Sequence, residues 1–163
     1  MKEFTVKEKH AEKLAEFIHH GQKRRNGEDF IEHPRRIARA IKELGYGEDE
    51  VCASFLHDTE DFQFLGDMFR IIDDIFGYRT FGLVLLLTHI PKSTSYNDYV
   101  YHIAQISSDT SSDGMVVKWQ DMIDNTNDNI PKRQWRKYRN ACLFLQSKSV
   151  EIPEILKLRL KID

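Results

Sequence analysis

The stretch that decides the fold is residues 48–58, Glu-Asp-Glu-Val-Cys-Ala-Ser-Phe-Leu-His-Asp. Its apolar side chains recur at the spacing of one helix face: Val51, Cys52, Phe55 and Leu56. The pattern predicts a helix that starts near Glu48 and ends in His57 and Asp58. Adjacent side chains on a helix diverge by about one hundred degrees, yet both can reach one ion at the helix rim. The alternative is a capped histidine beside a surface aspartate.

Outward from this stretch, helical periodicity runs through almost the whole chain. Thr5-Val6-Lys7-Glu8 is a capping box that opens the first helix, and Gly45 and Gly77 are placed to end the second and fourth. Further helices are predicted to begin near these residues: Pro34, Asp67, Thr80, Ser95, Ser112, Pro131 and, for a short last one, Pro153. Residues 80–88 are also compatible with a strand, because periodicity cannot separate the two at this length. No alternating pattern or persistent heptad occurs, so we predict an all-α orthogonal bundle of about eight helices.

The composition is that of a globular protein, and its 163 residues suit one domain, predicted to span residues 1–163. A net charge of −2 argues against a nucleic-acid partner, which needs a strongly basic face. Cys52 and Cys142 fall at apolar helical positions without a CxxC partner, so neither a disulfide nor a thiolate zinc site is expected. The N-terminus lacks the apolar run of a signal peptide, and residues 83–87 are too short to span a bilayer. We therefore expect a cytoplasmic protein without a membrane partner.

Four residues in three places are candidate metal ligands: His33, His57, Asp58 and Asp121. Two neutral imidazoles and two carboxylates can hold one divalent cation and leave positions open for water, which is the equipment of a metal-dependent hydrolase. Alternatives exist for two of them. His33 precedes Pro34 and suits an N-terminal cap, and Asp121 suits a solvated helix face. The four can share a metal only if the fold brings the three segments together.

Basic and amide side chains accompany these ligands. Lys118, Asp121 and Asn125 share one stripe of a helix that is otherwise apolar, and a central helix rarely carries a polar stripe without a use for it. Arg24 and Arg25 lie in a short basic loop just before His33. Guanidinium groups bind phosphate bidentately and stack on bases, so a phosphorylated nucleotide is the expected substrate. A nucleic acid would need a longer basic track.

The order of three motifs resembles the HD-domain hydrolases of the RelA/SpoT type. The motifs are Gly-Gln-x-Arg-Arg-x-Gly-x-x-Phe-Ile-x-His-Pro at residues 21–34, Leu-His-Asp at 56–58 and Val-Lys-x-x-Asp-x-x-x-Asn at 117–125. Enzymes of this type, with their small single-domain relatives, remove the 3′-pyrophosphate of (p)ppGpp. The resemblance covers about residues 6–146 and implies a compact all-α HD bundle.

The resemblance also implies a role for each matching residue. One divalent metal, usually Mn²⁺ in this family, would be bound by the four candidate ligands: His33, His57, Asp58 and Asp121. Arg24 and Arg25 match residues that contact the base and phosphates, Asn125 lines the nucleotide pocket, and Lys118 supports the site. The activity implied is a phosphohydrolase acting on (p)ppGpp at the 3′ position, or on another nucleotide such as NADPH.

Two departures from the family pattern concern the chemical step. The family reads His-Asp-x-x-Glu-Asp, whereas this chain reads His57-Asp58-Thr59-Glu60-Asp61, one residue shorter. Glu60 and Asp61 are the candidate catalytic residues that orient water. In the third motif, Gln120-Asp121-Met122 keeps the ligand but lacks a basic group. The shortened motif leaves open an HD module that binds a nucleotide or a partner protein with little or no turnover. Residues 157–161 are predicted to form a frayed helix or an oligomer contact, and a homodimer is a possible assembly.

Overall fold

A computed structural model describes residues 2–59, 65–89, 94–109, 113–127 and 130–163. Within these residues the chain forms eight helices: α1 (Val6–Ile18), α2 (Glu32–Leu44), α3 (Glu48–Leu56), α4 (Leu65–Leu87), α5 (Tyr96–Asp109), α6 (Gly114–Asn125), α7 (Lys132–Ser147) and α8 (Glu154–Leu160). The β-structure in the described residues is one isolated bridge between Lys23 and Asp29. The predicted all-α fold of about eight helices is confirmed.

Contacts divide the chain into two units, Met1–Thr88 and His89–Asp163. The prediction of a single domain over residues 1–163 stays a prediction. In the first unit, α3 contacts α1, α2 and α4. Every residue from Glu50 to Leu56 is buried, which explains why the apolar stretch at 48–58 carries so much of the fold.

The ends of the first two helices are fixed by local chemistry. Thr5 and Glu8 form the predicted capping box at the start of α1. Gly45 ends α2 at φ 91°, a left-handed conformation that favours glycine. Glu8 is fully buried and accepts hydrogen bonds from Lys42 Nζ at 2.8 and 2.9 Å. This ion pair ties α1 to the last turn of α2.

Helix α4 contains a break where a helix end was predicted. Gly77 has φ 83° and ψ 162°, which are not helical angles, so the helical hydrogen-bond pattern is interrupted there between two helical stretches. Residues 78–87 are helical, and the strand alternative for this run is wrong. Across the described residues, no helix has both the length and the apolar character that crossing a bilayer requires.

In the second unit, α5 contacts α6 and α7, and α8 contacts both of these helices as well. Helix α6 begins at Gly114, where Asp113 caps the backbone N–H of Val116; the predicted start at Ser112 lies outside the described residues. Pro131 and Pro153 precede α7 and α8 as predicted. The interpretation of residues 157–161 as a frayed helix is wrong, because α8 is helical through Leu160 and Leu160 is buried.

The two cysteines behave as buried apolar side chains. Cys52 and Cys142 are free thiols with no exposed surface. Burial raises the pKa of each thiol to about 12. Both thiols are therefore protonated at neutral pH, as expected for cysteines that act as small apolar side chains.

Candidate metal centre and nucleotide site

His33 lies in the first turn of α2, with its ring 2 % exposed. The residue at the N-cap position is Ile31, so the interpretation of His33 as a helix cap is wrong. Pro34 follows it inside the first turn, where a missing backbone N–H does not break the helical ladder. The ring of Phe30 packs edge-on against His33, with centroids 6.0 Å apart. The helix start and this ring contact fix the imidazole in an interior position.

His57 is the residue that ends α3, and its orientation is defined by the backbone. Its Nδ1 lies 2.9 Å from the carbonyl oxygen of Ser54. A carbonyl can only accept, so Nδ1 carries the proton and Nε2 presents a lone pair. This is the arrangement by which proteins prepare an imidazole for a metal.

Both imidazoles approach the same carboxylate. Asp58 Oδ2 lies 3.4 Å from Nε2 of His33 and 3.4 Å from Nε2 of His57. One ligand atom from each of the three residues falls within 4.8 Å of the others. Asp58 is the most accessible of the three, with 31 % of its side chain exposed. Two imidazole nitrogens and a carboxylate, converging at a partly open position, fit a divalent cation.

The fourth predicted ligand, Asp121, lies on α6 in the second unit. Its side chain is 7 % exposed, so the solvated-face alternative is wrong. Lys118 Nζ donates to Oδ2 at 2.7 Å, and the amide of Asn125 donates to Oδ1. The predicted stripe thus forms one hydrogen-bonded group, in which Lys118 and Asp121 are buried and Asn125 is half-buried. The role of Asp121 as a ligand of the same metal stays a prediction.

The environment of Lys118 keeps its ammonium charged. Burial is the largest single influence and lowers the pKa of this group, but the Asp121 carboxylate together with Tyr96 and Tyr99 outweighs it and holds the pKa well above its usual value. The ammonium also lies over the rings of Tyr96 and Tyr99, at 5.6 and 5.2 Å from their centroids. Lys118 is therefore a fixed positive charge that orients Asp121.

The basic loop forms a tight turn between Lys23 and Asp29. Arg24 is largely buried, with 11 % of its side chain exposed, and its Nε lies 3.5 Å from Glu28 Oε1. Arg25 is exposed on the same turn. The two predicted nucleotide-binding residues thus differ: one is held against the protein, and the other extends toward solvent. Their predicted roles remain predictions.

The candidate catalytic residues Glu60 and Asp61 lie outside the described residues. The last described residue before them is Thr59, which is buried and donates from Oγ1 to the carbonyl of Leu56 at 2.9 Å. This hydrogen bond satisfies the carbonyl of the last residue of α3 and holds Thr59 against the helix end, just after His57 and Asp58. The water-orienting role of Glu60 and Asp61 stays a prediction.

Two aromatic groups were not anticipated from sequence. In the first unit, His19 stacks on Phe30 with centroids 4.5 Å apart, and Phe30 in turn packs against His33. In the second unit, Lys118 lies over Tyr96 and Tyr99. His89 packs against both of these rings, and Tyr138 packs against Tyr96. The only sequence signal was the recurrence of aromatic residues near the motifs, which periodicity cannot turn into a contact.

Residues 11–137 match the family described as the HD domain. The chain belongs to this family. The matched segment contains all four predicted metal ligands and all four predicted nucleotide-binding residues. Family membership therefore agrees with the resemblance drawn from the three motifs.

Two longer proteins are similar in sequence to part of this chain. A guanosine-3′,5′-bis(diphosphate) 3′-pyrophosphohydrolase of Aquifex aeolicus is 32 % identical over 123 residues, which are 74 % of this chain and 16 % of that protein. A protein of Arabidopsis thaliana, named as a candidate chloroplastic GTP diphosphokinase RSH1, is 48 % identical over 81 residues, 49 % of this chain and 9 % of its own. The chain therefore matches only a small part of these longer proteins.

The fold has a counterpart among solved structures. A metazoan orthologue of SpoT, described as hydrolysing ppGpp, superposes with a TM-score of 0.71 at 18 % identity. The match covers 99 % of this chain and 95 % of that one. At this identity the likeness establishes the all-α fold.

Proposed function

We propose that this HD domain is a metal-dependent phosphohydrolase that removes the 3′-pyrophosphate of (p)ppGpp, with Mn²⁺ as its metal. The observation that carries the proposal is the convergence of His33, His57 and Asp58 on one point in a chain of the HD family. The names of the Aquifex and metazoan relatives support the substrate. Asp121 is proposed as the fourth ligand.

Each residue of the proposed site would have a distinct role in hydrolysis. His33, His57 and Asp58 would hold the divalent cation, which when bound would supply Lewis acidity for activating water and positive charge for the phosphate groups. The Ser54 carbonyl holds the His57 tautomer, and Lys118 holds Asp121. Arg24 and Arg25 would bind phosphate and base. Glu60 or Asp61 would orient the attacking water and accept its proton.

The bond that breaks follows from the product. Pyrophosphate leaves as a unit only if water attacks the phosphorus next to the ribose, so that the bond between this phosphorus and the 3′ oxygen breaks. The 3′ oxygen then takes a proton and becomes a hydroxyl. Lys118, Arg24 and Arg25 supply cations for the charge of the two phosphate groups.

The test is turnover with Mn²⁺ against ppGpp, NADPH, GTP and a deoxynucleoside monophosphate, with Asp58→Ala as the blank. Release of pyrophosphate from ppGpp alone, absent in the blank, would establish the proposal. Turnover of NADPH or another nucleotide would keep the mechanism and change the substrate. Replacing Mn²⁺ by Mg²⁺ or Zn²⁺ in the same assay identifies the metal.

A second candidate is an HD module that binds a nucleotide or a partner protein without efficient turnover. The His57-Asp58-Thr59-Glu60-Asp61 sequence favours it, since this motif is one residue shorter than the pattern His-Asp-x-x-Glu-Asp. This candidate predicts metal and nucleotide binding with no product. If Asp61→Asn and Glu60→Gln both leave hydrolysis intact, the assignment of the water-orienting role fails.

We also propose that the protein is cytoplasmic. A homodimer is a second proposal. The location follows from the proposed substrate, which is an intracellular nucleotide. The dimer prediction concerns residues 157–161, where Leu158 is 77 % exposed on α8. Sedimentation of the wild-type chain and of Leu158→Asp distinguishes a dimer formed through α8 from a monomer.

A further inference from the structure

Glu28, in the predicted nucleotide-binding loop, forms ion pairs with two arginines: Arg24 in the same loop and Arg36 on α2. Its Oε1 lies 3.5 Å from Arg24 Nε and accepts a hydrogen bond from Arg36 Nη2 at 2.6 Å. Its Oε2 accepts from Arg36 Nη1 at 3.2 Å. The Arg36 contact is bidentate, the geometry that fixes a carboxylate most firmly. Hydrogen bonding from Arg36 lowers the pKa of Glu28, so the carboxylate is charged at neutral pH.

The backbone of the turn places Glu28 beside Arg24. Arg24 N donates to the carbonyl of Glu28 at 2.9 Å, and Gly27 N donates to the carbonyl of Arg24 at 2.9 Å. Gly27 has φ 90°, a left-handed conformation that lets the turn close. Asn26 Oδ1 accepts from Glu28 N at 3.1 Å. The two side chains that meet are therefore held at the base of one rigid turn.

We propose that Glu28, held by Arg36 on α2, is a positioning residue that orients the Arg24 guanidinium for the substrate's phosphate groups. The proposal rests on the proposed function, in which Arg24 contacts the nucleotide. An arginine side chain loses much rotamer freedom when it binds a ligand. A partner that fixes the side chain beforehand reduces this loss on binding.

Charge explains why Arg36 is part of the arrangement. A carboxylate beside a phosphate-binding arginine offsets the positive charge that attracts the phosphate. Arg36 neutralises Glu28, so the group of Arg24, Glu28 and Arg36 keeps one net positive charge. Arg36 is a residue of α2, so its contact with Glu28 also connects the loop to the helix that carries His33.

The alternative to positioning is a purely electrostatic role, and it predicts the opposite effect. If Glu28 only reduced the charge of Arg24, Glu28→Gln would increase attraction for the nucleotide and lower KM. If Glu28 orients Arg24, the same change releases the guanidinium and raises KM. The direction of the KM change therefore separates the two.

The loop offers a matched control. Asp29 Oδ1 accepts a hydrogen bond from Lys23 Nζ at 2.7 Å in the same turn, in an exposed ion pair apart from the Glu28 carboxylate. We expect Glu28→Gln to raise KM for ppGpp about tenfold with kcat within about twofold, and Asp29→Asn to leave both unchanged. Arg36→Gln should also raise KM, because an uncompensated Glu28 carboxylate then faces Arg24. An unchanged or lower KM for Glu28→Gln, or an equal rise in Asp29→Asn, would overturn the proposal.

A second measurement does not depend on turnover, so it separates failure of this inference from failure of the proposed function. The Nε–Hε signal of Arg24 in ¹⁵N-labelled protein should exchange slowly with solvent in the wild type and in Asp29→Asn. It should exchange rapidly in Glu28→Gln. Equal exchange in wild type and Glu28→Gln would show that Glu28 does not hold Arg24. Equal Mn²⁺ binding by the three proteins confirms that the fold around His33 is retained.

Discussion

Asp58 and Asp121 are the two carboxylates predicted to bind the metal, and their surroundings differ. Asp58 is 31 % exposed, and its Oδ2 is approached by the Nε2 atoms of His33 and His57. Asp121 is 7 % exposed and accepts hydrogen bonds from Lys118 and Asn125. One carboxylate faces nitrogen atoms suited to a metal, and the other already has a cation supplied by the protein.

The different surroundings of Asp58 and Asp121 predict different effects of substitution, on metal binding in one case and on stability in the other. A carboxylate grouped with two imidazole nitrogens forms a set of ligands suited to a divalent metal. A carboxylate buried with an ammonium contributes to the folded state whether or not a ligand is present, because removal of either partner leaves a buried charge alone. We therefore expect substitutions at Asp58 to affect metal and turnover, and substitutions at Lys118 or Asp121 to affect stability as well.

The largest expected effect is on turnover in Asp58→Ala. Loss of this ligand should abolish Mn²⁺ binding and lower turnover by at least about a thousandfold, equivalent to about 4 kcal/mol of transition-state stabilisation. The free energy of unfolding of the metal-free protein should change by less than about 1 kcal/mol. Calorimetric titration with Mn²⁺ and urea unfolding measure the two quantities. Asp73→Ala, at an exposed position on α4, is the control and should change neither.

The next effect is on stability in Lys118→Met. Removing the ammonium leaves Asp121 buried without its cation, and we expect a loss of about 3–5 kcal/mol in the free energy of unfolding. The matched control is Lys157→Met, since Lys157 pairs with Glu154 at the same i,i+3 spacing and at 2.6 Å, but with Glu154 85 % exposed. That change should cost at most about 1 kcal/mol. Equal losses in the two variants would contradict the contrast between the buried and the exposed pair.

Periodicity predicted the helices well because it reports burial directly. The pattern in residues 48–58 predicts a helix packed on its apolar face, and α3 is buried on every side from Glu50 onward. Gly45 and Gly77 were correctly placed at a helix end and a break, since their backbone conformations favour glycine. Pro34 lies in the first turn of α2, as its tolerance at a helix start predicts.

The candidate site was predicted only as a set of residue types. Sequence spacing placed Lys118, Asp121 and Asn125 on one stripe, and the structure joins them by hydrogen bonds. The contact of His19 with Phe30, and of Glu28 with both Arg24 and Arg36, depends on the path of the turn between α1 and α2. Helical periodicity carries no information on such a path, so these contacts could not be predicted.

A smaller effect is expected for Asp121→Asn, which tests whether this residue belongs to the metal site. The amide keeps the shape of the side chain but loses the charge that Lys118 requires, so stability should fall by about 2–3 kcal/mol. If Asp121 is a ligand, the affinity for Mn²⁺ should fall about 10- to 100-fold as well. Calorimetric titration of the folded variant measures the affinity. An unchanged affinity together with reduced stability would limit Asp121 to a structural role.

The smallest effect should follow from Asn125→Ala, which removes the neutral partner of Asp121 and keeps the charged one. The Asn125 amide donates to Oδ1, while Lys118 continues to hold Oδ2. Loss of one hydrogen bond to a charged group should cost about 1–2 kcal/mol in the free energy of unfolding, since Asp121 keeps its counter-charge. Because Asn125 is also proposed to line the nucleotide pocket, KM should rise several-fold while Mn²⁺ affinity stays within about twofold of the wild type. Urea unfolding, nucleotide titration and metal titration of one preparation resolve the three effects. A loss of stability as large as that of Lys118→Met would show that the amide, and not the ammonium, is the main partner of the buried carboxylate.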